Sequence, residues 1–180
     1  RHGEREAPFQ SANDSYGQIV PGIRTYRHCI SWEDRMDVRR ARHEDLRNIL
    51  DYMEKYHENS NLSDIKFDRD SCRKIVQHYI EHRDSLPLIA TDGEKLGGLL
   101  FGSLEPFFFN RKQTYATDLM YFSEGYGPQL WKRFRDWAFE LGAKRIIMGV
   151  SSGDPRAGQL LEALGMSTTG GMYELRQTGG

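Results

Sequence analysis

The stretch Asp118-Leu119-Met120-Tyr121-Phe122-Ser123-Glu124-Gly125-Tyr126-Gly127-Pro128 decides the fold, because it joins a predicted strand to a predicted helix through a glycine turn. Residues 113–122 predict the strand, and Pro128 suits the first turn of a helix, where its missing N–H is not needed. Such a turn exposes backbone N–H groups beside a helix dipole, and these can hold a pyrophosphate. The same spacing is typical of turns that need glycine only for their backbone geometry, so both interpretations stay open.

Upstream of this stretch, the sequence predicts a strand followed by two helices. The strand begins at Met36, and His43 opens a helix whose apolar residues recur at helical spacing as far as Tyr56. Asp68 or Asp70 can cap the second helix, since either side chain could accept from the free N–H groups of the first turn.

A strand hairpin comes next. Residues 86–91 and 96–104 predict two strands joined by a turn at Asp92-Gly93. Gly97-Gly98 in the second strand indicates a bulge or the close approach of another group.

Downstream, the helix that starts near Pro128 has a heavy apolar face and ends at Gly142. Residues 145–150 predict a short strand buried on both faces, Asp154 can cap a last helix over residues 155–164, and residues 172–175 predict a final strand. The order β-α-α-β-β-β-α-β-α-β predicts an α/β (α+β) fold with a mixed central sheet and helices on both faces.

The composition excludes few classes of function. The 180 residues carry 25 basic and 26 acidic side chains, a formal net charge of −1, which predicts no nucleic-acid or membrane partner, although a sum cannot exclude a local basic patch. Cys29 and Cys72 lie too far apart in sequence for a clustered metal site, so no metal is expected. Two reduced thiols and the lack of a long apolar run predict a cytoplasmic protein.

Residues 1–35 lack any sustained period and predict an extended N-terminal arm that precedes a domain over residues 36–180. The arm contains scattered apolar residues, among them Phe9, Tyr26 and Trp32. We expect it either to dock on its own domain, on a sister subunit or on a larger assembly, or to form a flexible tail.

Three segments of the predicted domain resemble the GNAT superfamily of N-acetyltransferases. Gly125-Tyr126-Gly127 and the residues up to Leu130 are similar to the second half of the family's pyrophosphate loop, Arg/Gln-x-x-Gly-x-Gly/Ala. Residues 137–146 resemble the end of the family's third helix, and residues 158–166 resemble its closing helix. The tryptophan-rich third helix is also similar to GNAT-like proteins encoded by bacteriophages.

This resemblance implies an acetyl-coenzyme A-dependent N-acetyltransferase with an unidentified small-molecule or protein amine as acceptor. Backbone groups of one strand would bind the pantetheine arm of acetyl-coenzyme A: Met120, Tyr121 and Phe122. N–H groups of the glycine turn would hold the pyrophosphate: Gly125, Tyr126 and Gly127. The far wall of the cleft would be lined by Ser151, Ser152 and Asp154. An acidic residue of the central strand is the implied base.

The sequence departs from the family pattern at three positions. Phe122 stands where the loop's first Arg or Gln is expected, and Glu124 brings a carboxylate near the expected pyrophosphate, which lowers the expected affinity. Leu161 stands where the family has a tyrosine acid, and a leucine cannot protonate a thiolate.

Two carboxylates are candidates for the base. Asp118 on the central strand is the first, although such a residue is more often a carboxylate on the polar face of a half-buried strand. Glu105 is the second, although it could be a turn residue before Pro106. His57 borders the substrate side of the implied fold, where a helix-end histidine is more often a surface residue.

The run Phe107-Phe108-Phe109 predicts at least one exposed or externally covered ring, because alternate strand residues face opposite sides. These rings could line the acceptor pocket or receive the arm or a partner. Together with the departures above, they leave an alternative to the enzyme: a catalytically degenerate GNAT-like domain that acts as a structural or interaction component, for example of a phage particle, with a virion location.

Overall fold

The computed structural model describes residues 36–93, 95–150 and 155–171. The elements, in chain order, are β1 (Met36–Arg40), α1 (Leu46–Glu58), α2 (Arg69–Glu81), β2 (Ser85–Asp92), β3 (Lys95–Phe107), β4 (Asn110–Ser123), α3 (Gly127–Glu140), β5 (Ile146–Ile147) and α4 (Pro155–Ala163). The predicted arm, the predicted final strand and Ser151, Ser152 and Asp154 lie outside the described residues. None of the helices in the described part is long and apolar enough to cross a membrane.

The five strands form one mixed sheet in the order β1-β2-β3-β4-β5. The first four strands are antiparallel to their neighbours, whereas β5 runs parallel to β4. The parallel step requires a crossover, which α3 provides. The predicted α/β (α+β) class and the predicted element order are confirmed as far as α4.

Helices cover both faces of the sheet, because successive strand residues point to opposite sides. Leu99 and Phe101 of β3 pack under α1 and α2, while Leu100 packs under α3. The residues that fill the α3 side are fully buried and large, in particular Leu130 and Phe134. The helical spacing of apolar residues in the sequence therefore identifies the faces that are buried.

Two arginines of β1 fix the helices of the first layer. The Arg39 guanidinium donates two hydrogen bonds of 2.7 Å to the Asp45 carboxylate, at the start of the helical region. Arg40 donates to the His82 carbonyl oxygen at 3.0 Å, where it satisfies an acceptor left free at the end of α2, and to the Ser85 carbonyl oxygen of β2 at 2.7 Å. At the other end of α2, Asp68 is the cap and accepts from the N–H groups of the first turn.

Three predicted strand boundaries change in the structure. β3 and β4 extend beyond the predicted limits and meet at a turn formed by Phe108 and Phe109, so these rings are at a hairpin tip. The strand predicted over residues 145–150 pairs only at Ile146 and Ile147, and Ile147 is 44% exposed. The prediction of a strand buried on both faces was wrong, because Ile147 and Val150 are both exposed.

Glycines of β3 let aromatic rings of the α3 layer approach the sheet. The β2–β3 register shifts at Gly97, which confirms the predicted bulge, and a Cβ at Gly97 would lie 2.0 Å from the Tyr126 ring. A Cβ at Gly102 would lie 2.1 Å from the ring of Phe134. Any side chain at Gly102 must therefore displace the fully buried ring of Phe134.

We expect Gly102→Ala to lower the free energy of unfolding by about 2–3 kcal/mol, because the methyl group overpacks a core that cannot move aside. Urea denaturation followed by circular dichroism measures the change. Gly158→Ala is the matched control, since nothing lies within 4 Å of a Cβ there, and a helical alanine should stabilise slightly. Equal stability of Gly102→Ala and the wild type would contradict this account of the packing.

Candidate functional site

The central feature of the site is the separation of β4 from β5. Their ladder consists of the pairs Ala116↔Ile146 and Thr117↔Ile147, after which β4 continues as far as Ser123. Within the described residues, the β5 side of β4 therefore has no ladder partner beyond Thr117. The result is an open edge of backbone donors and acceptors at the middle of the sheet.

A bulge in β4 lies at the point of separation. Phe101 of β3 pairs with Met120, while the next residue, Gly102, pairs with Asp118, so Leu119 is the extra residue. Leu119 is 48% exposed. A bulge increases the local twist and leaves backbone groups unpaired, which turns the open edge toward solvent.

Asp118 lies at the base of the opening between the two strands. Its carboxylate accepts a hydrogen bond from the Gly149 N–H at 3.4 Å, which connects β4 to the segment after β5. Burial raises the pKa of Asp118 to about 6, and the Gly149 hydrogen bond opposes that rise only in part. A carboxylate of this kind is ionised at neutral pH and is a better proton acceptor than an ordinary aspartate.

Glu105, the other predicted base, lies farther along the hairpin. It is opposite Tyr115, three residues beyond Gly102 on β3, and it accepts from the Ser103 hydroxyl at 3.0 Å. The Tyr79 phenol of α2 has a pKa raised by burial, with smaller contributions from the charges of Glu105 and Asp118. The structure thus places Asp118, and not Glu105, where the strands separate.

The glycine turn is stabilised by one hydrogen bond to β3 and by one within the turn. The Glu124 N–H donates to the Gly97 carbonyl at 2.8 Å, and the Tyr126 N–H donates to the Ser123 hydroxyl oxygen at 2.7 Å. No partner for the N–H of Gly125 or Gly127 is found among the described residues. Of the three predicted pyrophosphate donors, Tyr126 is therefore engaged, Gly125 is exposed, and Gly127 is buried.

Glu124 forms ion pairs with two lysines. Its carboxylate is 2.6 Å from Lys55 Nζ on α1 and 3.9 Å from Lys95 Nζ on β3. The hydrogen bond and charge of Lys55 hold the pKa of Glu124 below its usual range, so the group stays ionised. The predicted repulsion of a pyrophosphate is weakened by these two cations, which also connect the turn to α1.

Tyr121 fills the space between α3 and α4. Its hydroxyl is buried without a hydrogen-bond partner in the described part of the chain, and a Cβ at Gly127 would lie 2.8 Å from it. Burial raises the pKa of Tyr121 to about 12, with a smaller contribution from Asp118. Leu160 of α4 lies against the same glycine, and its neighbour Leu161 is half-buried.

Met120 and Phe122 face the opposite side from Tyr121 and pack toward α1 and α2. Phe122 stacks on Tyr56 with ring centroids 5.0 Å apart, and His57 contacts the ring of Phe67 at 5.4 Å. The position of Phe122 explains how the chain tolerates an aromatic residue where the family loop has a polar one, since its ring belongs to the α1 layer.

Sequence reasoning missed several residues of the site. The Lys55–Glu124 ion pair joins positions 69 apart, and no local pattern could reveal it. The role of Gly149 depends on where β5 ends relative to β4. Ser123 had a local signal, because a serine three residues before a free N–H is typical of a side-chain turn. No group of three or more histidine, cysteine, aspartate or glutamate side chains suited to a metal is found in the described ranges.

We expect Asp118→Asn to raise the free energy of unfolding at pH 8 by about 1–2 kcal/mol and to have little effect at pH 3. The folded-state pKa of Asp118 lies at about 6, above the ordinary 3.8, so the wild type is stabilised below pH 3.8 and loses that contribution as the pH rises from 3.8 to 6. Urea denaturation at both pH values measures the difference. Asp136→Asn is the charge-matched control on the surface of α3. A variant less stable than the wild type at pH 8 would show that the Gly149 hydrogen bond outweighs desolvation.

Solved structures share this fold at low sequence identity. A transcriptional regulator from Bacillus halodurans C-125 is similar with a TM-score of 0.65 and 18% identity, over 79% of this chain and 99% of that one. An aminoglycoside acetyltransferase, meta-AAC0020, from an uncultured soil metagenomic sample, in complex with sisomicin, has a TM-score of 0.62 and 12% identity, over 82% and 99%. AAC(6′)-Iy, in complex with the bisubstrate analogue CoA-S-monomethyl-acetylneamine, has a TM-score of 0.64 and 14% identity, over 79% of this chain and 98% of that one.

No family model matches the chain, and no curated protein matches its sequence. A phage origin draws no support from the similar structures, which include proteins of Bacillus and of Acinetobacter baumannii. Identities below one in five show the fold and not the activity. The described part of the chain therefore has the mixed α/β fold of the GNAT acetyltransferases.

Proposed function

We propose that this protein is an acetyl-coenzyme A-dependent N-acetyltransferase that acts on an amine acceptor. The observation that carries the proposal is the opening between β4 and β5, with Asp118 at its base. The aminoglycoside acetyltransferases with the same fold support it, since one of them was solved with an analogue that joins coenzyme A to an acetylated amine.

The chain has the groups that a pantetheine arm requires. The free edge of β4 from Leu119 onward offers backbone donors and acceptors, which could pair with the amides of pantetheine as a strand would. Gly125 has a φ of +97° and leaves open space where a side chain would stand, so a phosphate could approach its N–H, whereas Gly127 is buried against Tyr121. The fit to the pyrophosphate is less complete, because the Tyr126 N–H is already bound to Ser123.

The proposed reaction moves an acetyl group from sulfur to nitrogen. The amine nitrogen attacks the thioester carbonyl, the carbon–sulfur bond breaks, and coenzyme A leaves as its thiolate. Asp118 takes the proton that the amine loses, directly or through water, and its raised pKa suits it to this step. A backbone N–H of the bulge at Leu119 would stabilise the developing oxyanion. Leu161 offers no proton to the thiolate, so we expect a slow enzyme.

We expect acetyl-coenzyme A to bind with micromolar affinity in a calorimetric titration, and Glu124→Gln to bind about 5–10-fold more tightly, because one negative charge beside the pyrophosphate is removed. Glu140→Gln is the matched control, since it removes the same charge at the far end of α3.

No binding to the wild type at millimolar acetyl-coenzyme A would overturn the proposed function and favour the alternative of a domain without turnover. Weaker binding by Glu124→Gln would show that Glu124 acts mainly by holding the turn to Lys55.

We expect Asp118→Asn to lower kcat/KM by about 10²–10⁴-fold, and the wild-type rate to rise with pH through about 6, as Asp118 loses its proton. The release of coenzyme A thiol, measured against a panel of primary amines and peptide amino termini, provides the rate. Glu105→Gln separates the two candidate bases, and we expect a much smaller loss from it. A large loss in Glu105→Gln with full activity in Asp118→Asn would transfer the role to Glu105.

A further inference from the structure

The turn between β3 and β4 exposes two aromatic rings that the proposed reaction does not use. Phe108 is 87% exposed and Phe109 is 96% exposed, whereas the third member of the run, Phe107, packs on Tyr115 with ring centroids 5.0 Å apart. Full exposure of two adjacent phenylalanines is costly in water and usually marks a surface that binds something. We call residues 106–112 the hairpin tip.

The hairpin tip projects from the body of the sheet. β2 begins at Ser85, which pairs with Ser103, and the last contact on that side is the Leu104 N–H, which donates to the Asp84 carbonyl at 2.9 Å. Beyond this point the described residues place no strand on the β2 side of β3, although β3 still pairs with β4 as far as Phe107. Among the described residues, the tip therefore consists of the β3–β4 hairpin alone, with Phe108 and Phe109 at its apex.

Cationic side chains surround the base of the tip. Arg111 and Lys112 follow the apex on β4, and all four basic residues of the region are exposed: Arg111, Lys112, Lys144 and Arg145. Lys144 and Arg145 are fixed beside the hairpin, since the Lys144 N–H donates to the Thr114 carbonyl at 2.8 Å and the Arg145 carbonyl accepts from the Ala116 N–H at 2.9 Å. The sequence between Pro106 and Thr117 has no acidic residue, and the adjacent acid is Glu105.

We infer that the hairpin tip docks on an anionic lipid membrane, with Phe108 and Phe109 inserted at the interface and the four cations on the lipid headgroups. Arg111 and Lys112 lie two and three residues beyond the apex, or about 7 and 10 Å along a strand. This is the depth at which interfacial segments meet the headgroup layer. The formal net charge of −1 predicts no membrane partner, but that sum averages over the whole chain and conceals this local cluster.

The arrangement of the rings favours a lipid surface over a nucleic acid. Phe108 and Phe109 contact each other edge to face, at 84° and 5.2 Å, at the apex of the turn. Single-stranded nucleic acid binds where ring faces lie along a groove together with the cations that track its phosphates. Here the cations lie behind the rings rather than beside them. The tip is also separate from the proposed catalytic site, because Asp118 lies eight residues along β4 from Asn110.

Sedimentation of the full chain with vesicles tests the inference. We expect binding to vesicles of phosphatidylcholine with about one-third phosphatidylserine, weak binding to phosphatidylcholine alone, and a decrease in affinity with added salt. Phe108→Ser with Phe109→Ser should lower the affinity about 10-fold or more, and Arg111→Gln or Lys112→Gln about fivefold each.

Matched controls exist elsewhere on the surface. Leu62→Ser with Ile65→Ser removes two exposed apolar side chains from the connection between α1 and α2, and Lys132→Gln with Arg133→Gln removes two exposed charges from α3. The inference requires both control pairs to bind like the wild type. Binding that is equally reduced in the controls, or absent with anionic vesicles, would overturn it.

A fluorescent probe reports insertion directly. Phe109→Trp should show an emission shift to shorter wavelength with anionic vesicles, and quenching by brominated lipid, when the signal of the wild-type tryptophans is subtracted. An unshifted emission would overturn the inference. Tip-dependent binding to a single-stranded oligonucleotide without vesicle binding, or a dimer in ultracentrifugation that the Phe108→Ser, Phe109→Ser pair dissociates, would also overturn it, in favour of nucleic acid or a second copy. None of these measurements depends on acetyl transfer.

Discussion

The pairing of β3 with β4 is the interaction on which the rest of the structure depends. This ladder runs from Gly98↔Ser123 to Phe107↔Asn110, and it supplies residues to the cores on both faces of the sheet. One end of the ladder leads into the glycine turn and the other forms the hairpin tip. Because β5 accompanies β4 for only two residues, the same ladder must hold β4 in place while its other edge remains open.

Two carboxylates show how differently the fold treats a negative charge. Asp118 is largely buried, and the Gly149 N–H donates to its carboxylate only at 3.4 Å. Its protonated form is therefore favoured and its pKa rises. Glu124 remains near solvent beside Lys55 and Lys95, so its ionised form is favoured and its pKa falls. The first arrangement suits the proposed role of Asp118 as a proton acceptor. The second keeps the Glu124 carboxylate ionised in the glycine turn.

Much of the fold could be predicted because it depends on residues close together in the sequence. The 3.6-residue spacing of apolar side chains identified the buried faces of α1 and α3, and the cap Asp68 and the bulge at Gly97 follow from residue chemistry. The turn at Phe108 and Phe109 could not be predicted, because phenylalanine favours strands and only the β3–β4 register places it in a turn. The residue types alone gave no reason for a strand to end there.

The sequence by itself determined the element order as far as α4, the glycine turn before α3, and Asp118 as a candidate base on the central strand. Only the tertiary structure decided which of these residues lie close together. It placed Asp118, rather than Glu105, where β4 and β5 separate, and it paired Glu124 with Lys55 across 69 positions. Separation, burial and ion pairing depend on distances between segments remote in sequence, and local residue patterns do not contain those distances.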